Sequence, residues 1–236
     1  MLNKSAVFFD IDDTLLDNYS AFKCTLKKYF PDSSIDENHF LGLYRDFRSH
    51  SEKIYQRYHE GKVGAIHNYD RWSSVLKRLK VADDSNRIDL DNYYHECQKK
   101  QALSVEMTIL LQVLKNAGIL CGVLTNGFTQ QQQTKLDQLK LSRFIDPKWQ
   151  FISEALGDAK PNVSCFQKVA DQLPADITKI LYLGDSYRND IVPALAANWE
   201  PIWLNRFGDK DELSVLEVKY NDEAVIELLS RLLSTR

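Results

Sequence analysis

The feature that most constrains the fold of this chain is a short apolar run near its start that ends directly at an aspartate. Residues 6–9 read Ala-Val-Phe-Phe, and Asp10 follows them. The run lacks the alternation of polar and apolar residues typical of a strand with one face in water, so it favours a strand buried on both faces in a parallel sheet. Three later runs have the same character and end at polar residues: 120–124 before Thr125, 180–183 before Gly184 and Asp185, and 201–204 before Asn205.

Segments of helical length separate these runs. They lie at residues 105–117, 130–139 and 166–173, and a last amphipathic pattern covers residues 224–232. A further short strand is predicted at residues 150–152. Strands that alternate with helices of this length predict parallel pairing through right-handed crossovers. The sequence therefore predicts an α/β protein with a doubly wound parallel sheet.

The alternation is interrupted between residues 18 and 103, where we find several helical patterns and no convincing strand. Apolar residues recur there at three- and four-residue spacing in two groups: Phe40, Leu43, Tyr44 and Phe47, then Trp72, Val75, Leu76 and Leu79. We predict a core domain of residues 1–17 and 104–236 that carries an inserted helical domain of residues 18–103. The simplest interpretation of its aromatic residues is that they form the core of the insertion itself.

The composition is typical of an ordinary globular protein. The chain has 236 residues, of which 44% are hydrophobic and 27% charged. No run approaches the roughly 18–20 apolar residues that span a bilayer, and no secretory pattern opens the chain, so we expect no membrane partner and a cytoplasmic location. A net charge of −3 argues against polymeric nucleic acid as a ligand. The 4 cysteines are dispersed without zinc-ligand spacing, which predicts reduced side chains.

The polar residues that close the apolar runs are candidates for one site, because ligands of open α/β sheets bind outside the carboxyl ends of the strands. These candidates are Asp10, Asp12 and Thr14, then Thr125 and Asn126, then Lys160, and finally Asp185 and Asp190. Carboxylates gathered in one place repel each other unless a cation neutralises them, and Mg²⁺ commonly bridges carboxylates to a phosphate. Lys160 and Thr125 add a charge and a hydroxyl donor that suit a phosphoryl group. The set predicts a magnesium-assisted phosphate site.

Two of these carboxylates predict a covalent mechanism. Asp10 can attack phosphorus to form an aspartyl-phosphate, and Asp12 can protonate the leaving oxygen and later deprotonate water. Each motif also has a structural interpretation, since Thr125-Asn126-Gly127 can be a turn, Lys160 a surface charge and Asp185 a helix cap. Their order along the chain, mostly after buried-type strands, favours catalysis.

These motifs together resemble the haloacid dehalogenase-like hydrolase superfamily. Residues 8–15, Phe-Phe-Asp-Ile-Asp-Asp-Thr-Leu, are similar to its first motif, and residues 124–127 to its second. Lys160-Pro161 resembles the third motif, and residues 184–190, Gly-Asp-Ser-Tyr-Arg-Asn-Asp, the fourth. The resemblance implies a Rossmann-like parallel core with a helical cap inserted after the first motif.

The resemblance also implies a role for each site residue. Asp10 would be the nucleophile and a metal ligand, Asp12 the general acid and base and a ligand through its carbonyl, and Asp185 the other ligand of Mg²⁺. Thr125, Asn126 and Lys160 would hold the phosphoryl oxygens. Asp190 would support the metal site or Lys160 without direct metal contact.

Three questions stay open at this point. Some members of the superfamily are dehalogenases, but those lack the second aspartate and need no metal, so Asp12 and Asp185 favour a phosphatase. Residues 125–136 and 152–157 are similar to bacterial pyrimidine 5′-nucleotidases, which favours a nucleoside 5′-monophosphate as substrate, while sugar and acyl-sugar phosphates are alternatives. The third question is whether the chain is an enzyme at all, since a binding or regulatory protein of the same fold without turnover is a further alternative. The expected partner is a small phosphate ester, with the chain a monomer or dimer.

Overall fold

A parallel sheet of six strands forms the centre of the larger part of the chain. The computed structural model describes residues 4–31, 35–61, 68–81, 86–210, 213 and 215–233. Its strands are β1 (Lys4–Phe9), β2 (Leu120–Thr125), β3 (Gln150–Ile152), β4 (Ile177–Gly184), β5 (Glu200–Leu204) and β6 (Glu217–Val218). They pair in the order β3-β2-β1-β4-β5-β6, and every pair is parallel. This confirms the predicted α/β fold with a Rossmann-like sheet.

Both faces of β1 are buried, as its unbroken apolar run predicts. Val7 and Phe9 pack into one core cluster, whereas Ala6 and Phe8 pack into the cluster on the opposite face. All four side chains are fully buried, which stabilises the fold by roughly 1.5–3 kcal/mol for each large side chain. Gly122 of β2 makes room for Phe8, because a Cβ at this glycine would lie 2.1 Å from Cε1 of the phenylalanine ring.

Helices cover the two faces of the sheet. The core helices are α5 (Val105–Asn116), α6 (Thr129–Gln138), α7 (Ser153–Leu156), α8 (Val163–Ala170), α9 (Val192–Ala196) and α10 (Asn221–Leu233). Apolar residues of α5, α6 and α10 share a cluster with Val7 and Phe9, while those of α8 and α9 share a cluster with Phe8. The short strand β6 was not predicted, since two residues are too few to show a period.

The described residues of the remaining part of the chain are mostly helical. Its helices are α1 (Asn18–Tyr29), α2 (Glu37–His59), α3 (Trp72–Arg78) and α4 (Arg87–Gln98), with a 3₁₀ turn at Asn68–Arg71. Aromatic rings form its core: the Trp72 ring centroid lies 5.5 Å from that of Phe22 and 4.7 Å from that of Phe47. The interpretation of these residues as a local core is confirmed by their burial, with Leu79 only partly buried.

Contacts within the chain divide it into two compact units, Met1–Leu16 with Ala102–Arg236, and Asp17–Gln101. We call them the sheet unit and the helical unit. That the helical unit acts as a cap is a prediction. Within the described residues, none of the helices combines the length and apolar character needed to cross a membrane.

Candidate active site

The predicted site residues follow neighbouring strands at one edge of the sheet. Asp10 directly follows β1, Thr125 is the last residue of β2, and Asp185 directly follows β4. The strand order reverses at β1, because the chain runs from β1 outward to β3 and then returns to β4 on the other side. A sheet of this kind opens a crevice for ligands at such a reversal, so the topology alone brings these side chains together.

The ammonium group of Lys160 is buried among three oxygen atoms. Its Nζ lies 2.8 Å from Oδ1 of Asp10, 2.5 Å from Oδ1 of Asp190 and 2.9 Å from the hydroxyl oxygen of Tyr182. Burial alone would lower the pKa of Lys160, but the charges of Asp10 and Asp190 outweigh it and raise the pKa well above its ordinary value. Each of the three protons of this ammonium group has an acceptor.

Asn126 fixes the backbone that carries Lys160. Its Nδ2 donates to the carbonyl oxygen of Lys160 at 2.7 Å, and its Oδ1 accepts from the N–H of Lys160 at 3.0 Å. The side chain of Asn126 is therefore committed to the protein. If this residue also binds a substrate, its backbone N–H is the group that remains for that task.

Asp190 lies on a π-helical turn, Tyr187–Ile191, that follows β4. Its Oδ1 accepts from Lys160, and its Oδ2 accepts from the N–H of Ser186 at 2.9 Å. Gly184 allows this approach, since a Cβ there would lie 2.6 Å from Cβ of Asp190. Both carboxylate oxygens are engaged by protein donors, which suits a residue that positions Lys160 better than one that binds a metal directly.

Asp10 is held in an environment that disfavours its charge. Burial raises its pKa, Lys160 opposes this, and the charges of Asp190 and Asp12 add to the rise, so that the pKa lies at about 7. Lys160 contacts Oδ1, and in the described part of the chain Oδ2 of Asp10 accepts no hydrogen bond from a side chain. A cation at this site would restore the charged form.

Asp12 stands in a different environment from Asp10. It lies in a tight turn in which the N–H groups of Thr14, Leu15 and Leu16 all donate to the carbonyl of Ile11. Lys135 of α6 donates to its Oδ1 at 2.6 Å and its Oδ2 at 2.8 Å, and Gln132 of the same helix donates to Oδ2 at 3.1 Å. The carboxylates of Asp10 and Asp12 therefore accept hydrogen bonds from different lysines.

The hydroxyl of Thr125 is available for a ligand. Thr125 is 1% exposed, and its Oγ1 has no hydrogen-bond partner among the residues that the structure describes. A buried hydroxyl without a partner is costly in a folded protein unless something else satisfies it. The oxygen of a bound phosphoryl group would do so.

The carboxylates fit a hard cation. Asp10, Asp185 and Asp190 each offer an oxygen atom, and these atoms lie within 4.8 Å of one another. Oxygen ligands of this kind are those that Mg²⁺ prefers. Because Asp190 already uses both of its oxygens, Asp10 and Asp185 are the side chains best placed to hold the ion. Trp203 donates to the carbonyl of Asp185 at 2.8 Å and fixes its backbone.

Sequence reasoning missed Tyr182 as part of this site and assigned no role to Lys135 or Gln132. Tyr182 is fully buried and donates to the carbonyl of Leu124 at 2.9 Å, so it ties β4 to β2 across the site. A tyrosine inside an apolar strand was a signal for it, since a buried hydroxyl needs a partner. Gln132 and Lys135, three residues apart on one helix, carried the signal of a shared face.

Comparison with known proteins decides the family. The model of the haloacid dehalogenase-like hydrolases matches residues 4–198 of this chain. The chain belongs to the haloacid dehalogenase-like hydrolase family. The matched segment of this hydrolase contains every candidate residue described above.

Named relatives of this hydrolase include phosphatases. It is 28% identical over 202 residues to the pyrimidine 5′-nucleotidase YjjG of Escherichia coli, a match that covers 84% of this chain and 85% of the relative. It is also 28% identical over 230 residues to the glyceraldehyde 3-phosphate phosphatase of Methanothermobacter thermautotrophicus, covering 96% of this chain and 97% of that one.

Solved structures share the fold of this hydrolase. The Bacillus subtilis hydrolase YfnB, described as bound to magnesium, superposes with a TM-score of 0.70 at 22% identity over 96% of this chain and 99% of the other. An L-2-haloacid dehalogenase superposes with a TM-score of 0.72 at 19% identity, covering 96% of this chain and 99% of that structure. At these identities the likeness concerns the fold alone.

Proposed function

We propose that this hydrolase is a magnesium-dependent phosphatase of small phosphate monoesters, with Asp10 as its covalent nucleophile. The observation that carries the proposal is the environment of Asp10. Its carboxylate is buried at a strand end, one oxygen is bound by Lys160, and the unsatisfied hydroxyl of Thr125 lies at the end of the adjacent strand. A dianionic phosphoryl group beside this nucleophile would meet a hydroxyl donor and a fixed positive charge.

The proposed reaction has two steps. In the first, Oδ2 of Asp10 attacks phosphorus, the bond from phosphorus to the leaving oxygen breaks, and the protonated carboxyl group of Asp12 gives that oxygen its proton. In the second, water attacks the phosphorus of the aspartyl-phosphate, Asp12 takes the proton of the water, and the bond from phosphorus to Asp10 breaks. The proton that Asp12 gave is returned, so the net reaction adds water across the ester.

The other site residues bind the phosphoryl group and the ion. The hydroxyl of Thr125 and the backbone N–H of Asn126 donate to phosphoryl oxygens, and Lys160 supplies charge beside them. Asp10, Asp185 and the carbonyl of Asp12 would hold Mg²⁺, and Asp190 orients Lys160. When bound, the ion neutralises charge on the carboxylates and on the phosphoryl oxygens.

For the substrate we propose a nucleoside 5′-monophosphate. This finer proposal is supported by the similarity to the pyrimidine 5′-nucleotidase, which covers most of both chains. The relative named as a glyceraldehyde 3-phosphate phosphatase supports a sugar phosphate as the alternative. We propose that the helical unit is the cap that makes this choice, because it is inserted directly after the turn that carries Asp12.

The test of the reaction is hydrolysis of p-nitrophenyl phosphate with Mg²⁺ by the wild type and Asp10→Asn. We expect turnover by the wild type and a loss of at least about 10³-fold in the variant, because the amide is a far weaker nucleophile. Asp146→Asn is the matched control, since this aspartate is half exposed and caps a 3₁₀ turn away from the site. Undiminished turnover by Asp10→Asn would overturn the mechanism, and a wild type without turnover would favour the binding or regulatory class.

A panel of substrates tests the finer proposal. Uridine 5′-monophosphate, glyceraldehyde 3-phosphate and an acyl-sugar phosphate are compared by kcat/KM at the same Mg²⁺ concentration. We expect the nucleotide to be preferred. A clear preference for either sugar compound would replace the nucleotidase assignment and leave the phosphatase assignment intact.

A further inference from the structure

Two aspartates of the first motif, Asp10 and Asp12, form ion pairs with different lysines. Lys160 contacts Asp10 and Asp190, whereas Lys135 contacts both oxygens of Asp12. The proposed reaction gives Lys160 a direct task beside the phosphoryl group. It gives Lys135 none, although this residue is 6% exposed.

A buried lysine at position 135 costs folding free energy if its role is only structural. Removing an ammonium group from water costs several kcal/mol, and an ion pair often does no more than offset this. Methionine would fill a similar volume on α6 beside the buried Leu136 without that cost. Stability alone therefore gives a weak reason for a lysine here.

Gln132 supports the same arrangement. Its Nε2 donates to Oδ2 of Asp12 and to the carbonyl of Asn126 at 3.0 Å, and both of these oxygen atoms are hydrogen-bond acceptors. The orientation of the amide is thus determined. Gly127 leaves the space for it, since a Cβ at this residue would lie 2.5 Å from Nε2 of Gln132. One face of α6 therefore ties Asp12 to the end of β2.

The side chain of Asp12 is more exposed to solvent than that of Asp10, so the surrounding atoms restrain it less. It is 32% exposed, compared with 8% for the side chain of Asp10. A partly exposed side chain has more than one accessible rotamer, and proton transfer needs the oxygen within hydrogen-bond reach of its partner. With two donor contacts from one ammonium group, one Asp12 oxygen can stay on Lys135 while the other meets the leaving oxygen.

We propose that Lys135 is a positioning residue that holds Asp12 for proton transfer to the leaving group. The inference rests on the proposed phosphatase function. It predicts that replacing Lys135 lowers kcat/KM more for a leaving group that needs a proton than for one that does not. Nitrophenolate leaves without receiving a proton, whereas the alkoxide of a sugar or nucleoside needs a proton to leave.

The experiment compares Lys135→Met with the wild type on two kinds of substrate by kcat/KM, which reports the steps up to transfer of the phosphoryl group. One is p-nitrophenyl phosphate, and the other is whichever of uridine 5′-monophosphate and glyceraldehyde 3-phosphate the wild type hydrolyses better. We expect a loss of about 10²-fold for the alkyl ester, in the usual range for general acid catalysis, and of less than about 3-fold for the nitrophenyl ester. Equal losses on both esters would indicate a merely structural role and overturn the proposal, as would no loss on either.

A double-mutant cycle tests whether Lys135 acts through Asp12. In the Asp12→Asn background, Lys135→Met should cost less than about 2-fold on the alkyl ester, because the group that it positions is already gone. Additive losses would contradict the inference. Lys115→Met on α5 is the matched control, since this exposed lysine donates to the carbonyl of Arg143 and should change neither ester.

Two further checks separate the possible failures. Far-ultraviolet circular dichroism and thermal melts show whether Lys135→Met is folded, and Lys135→Gln takes its place in the same comparison if it is not. If the wild type or Asp10→Asn behaves against expectation, the proposed function fails. If both behave as expected and the leaving-group difference is absent, the positioning role of Lys135 fails alone.

Discussion

At the scale of single residues, Thr125 and Lys160 differ in what the protein itself requires of them. The three protons of Lys160 go to Asp10, Asp190 and Tyr182. The hydroxyl of Thr125 has no partner in the described part of the chain. Removing the lysine would leave buried carboxylates without their cation. Such a change typically costs about 3–5 kcal/mol of stability, whether or not a ligand is bound. Removing the hydroxyl of Thr125 breaks no hydrogen bond among the described residues, so it should not lower the stability of the fold in this way.

Thr125→Val should therefore impair turnover without impairing the fold. The valine keeps the shape of threonine and replaces by a methyl group a hydroxyl that has no hydrogen-bond partner among the described residues. We expect an unfolding midpoint within about 2 °C of the wild type. For p-nitrophenyl phosphate, kcat/KM should fall by about 10²-fold, as when one donor to a developing charge is lost. Thermal melts and initial rates measure the two quantities.

The matched control is Thr25→Val in the helical unit. Thr25 is also buried, but its hydroxyl donates to the carbonyl of Ala21 at 2.9 Å within α1. We expect unchanged rates for this variant. If Thr125→Val lost stability but kept its rate, the hydroxyl would have a structural task and no role in binding phosphate.

At the scale of elements, a buried ion pair joins α4 to the 3₁₀ turn in the helical unit. Oδ1 of Asp91 accepts from Nε of Arg71 at 2.9 Å and from Nε1 of Trp72 at 3.0 Å. Oδ2 lies 3.3 Å from Nε2 of His95. Burial would raise the pKa of Asp91, but the hydrogen bond from His95 and the charge of Arg71 outweigh it and lower the pKa to about 2.

This ion pair predicts how acid destabilises the helical unit. The folded pKa of Asp91 lies below its unfolded value of 3.8, so its contribution to stability is complete above about pH 4 and is lost as the pH falls toward 2. The full contribution is about 2 kcal/mol, and about half of it is lost by pH 3. Urea unfolding of the wild type and Asp91→Asn at pH 5 and pH 3 measures it.

We expect the free energy of unfolding to fall less steeply between these pH values in Asp91→Asn than in the wild type. Asp89→Asn is the control, because this aspartate is exposed on the same helix. A slope in Asp91→Asn equal to that of the wild type would show that the ion pair does not set the acid response.

At the scale of the whole molecule, the sheet unit gathers negative charge where its strands end. Asp10, Asp185 and Asp190 have carboxylate oxygens within 4.8 Å of one another, and one buried lysine contacts two of them. Like charges this close destabilise the folded state in which they meet. An ion that binds the folded state and not the unfolded one stabilises it by mass action.

Mg²⁺ should therefore raise the unfolding temperature of the wild type. At about 100 times its dissociation constant, the ion adds roughly 2.7 kcal/mol, or a shift of about 5–10 °C for a chain of this size. Differential scanning calorimetry with Mg²⁺ and with a chelator measures the shift. Asp185→Asn should reduce it to less than about 2 °C, whereas Asp146→Asn should keep it. An equal shift in Asp185→Asn would place the ion elsewhere.

Much of the fold and the site could be predicted from local patterns. The apolar run before Asp10 is long enough to be a strand and too uniform to have a wet face, so it belonged inside a parallel sheet. Residues at the ends of such strands must meet, which grouped Asp10, Thr125 and Asp185 before any contact was known. Helical spacing likewise identified Phe47 and Trp72 as core residues of the helical unit.

What only the tertiary structure decided is which groups face each other at that edge. Asp12 and Lys135 are separated by 123 positions, and Asp10 and Lys160 by 150. Their spacing in sequence indicates that Gln132 and Lys135 share a helix face. It does not determine the angle at which α6 packs on the sheet. The partner of a buried charge is set by that packing, because an ammonium or carboxylate group interacts strongly only over a few ångströms. The sequence by itself determined five of the strands, their polar ends and the chemistry available there, while the packing of the helices on the sheet assigned each lysine to its carboxylate.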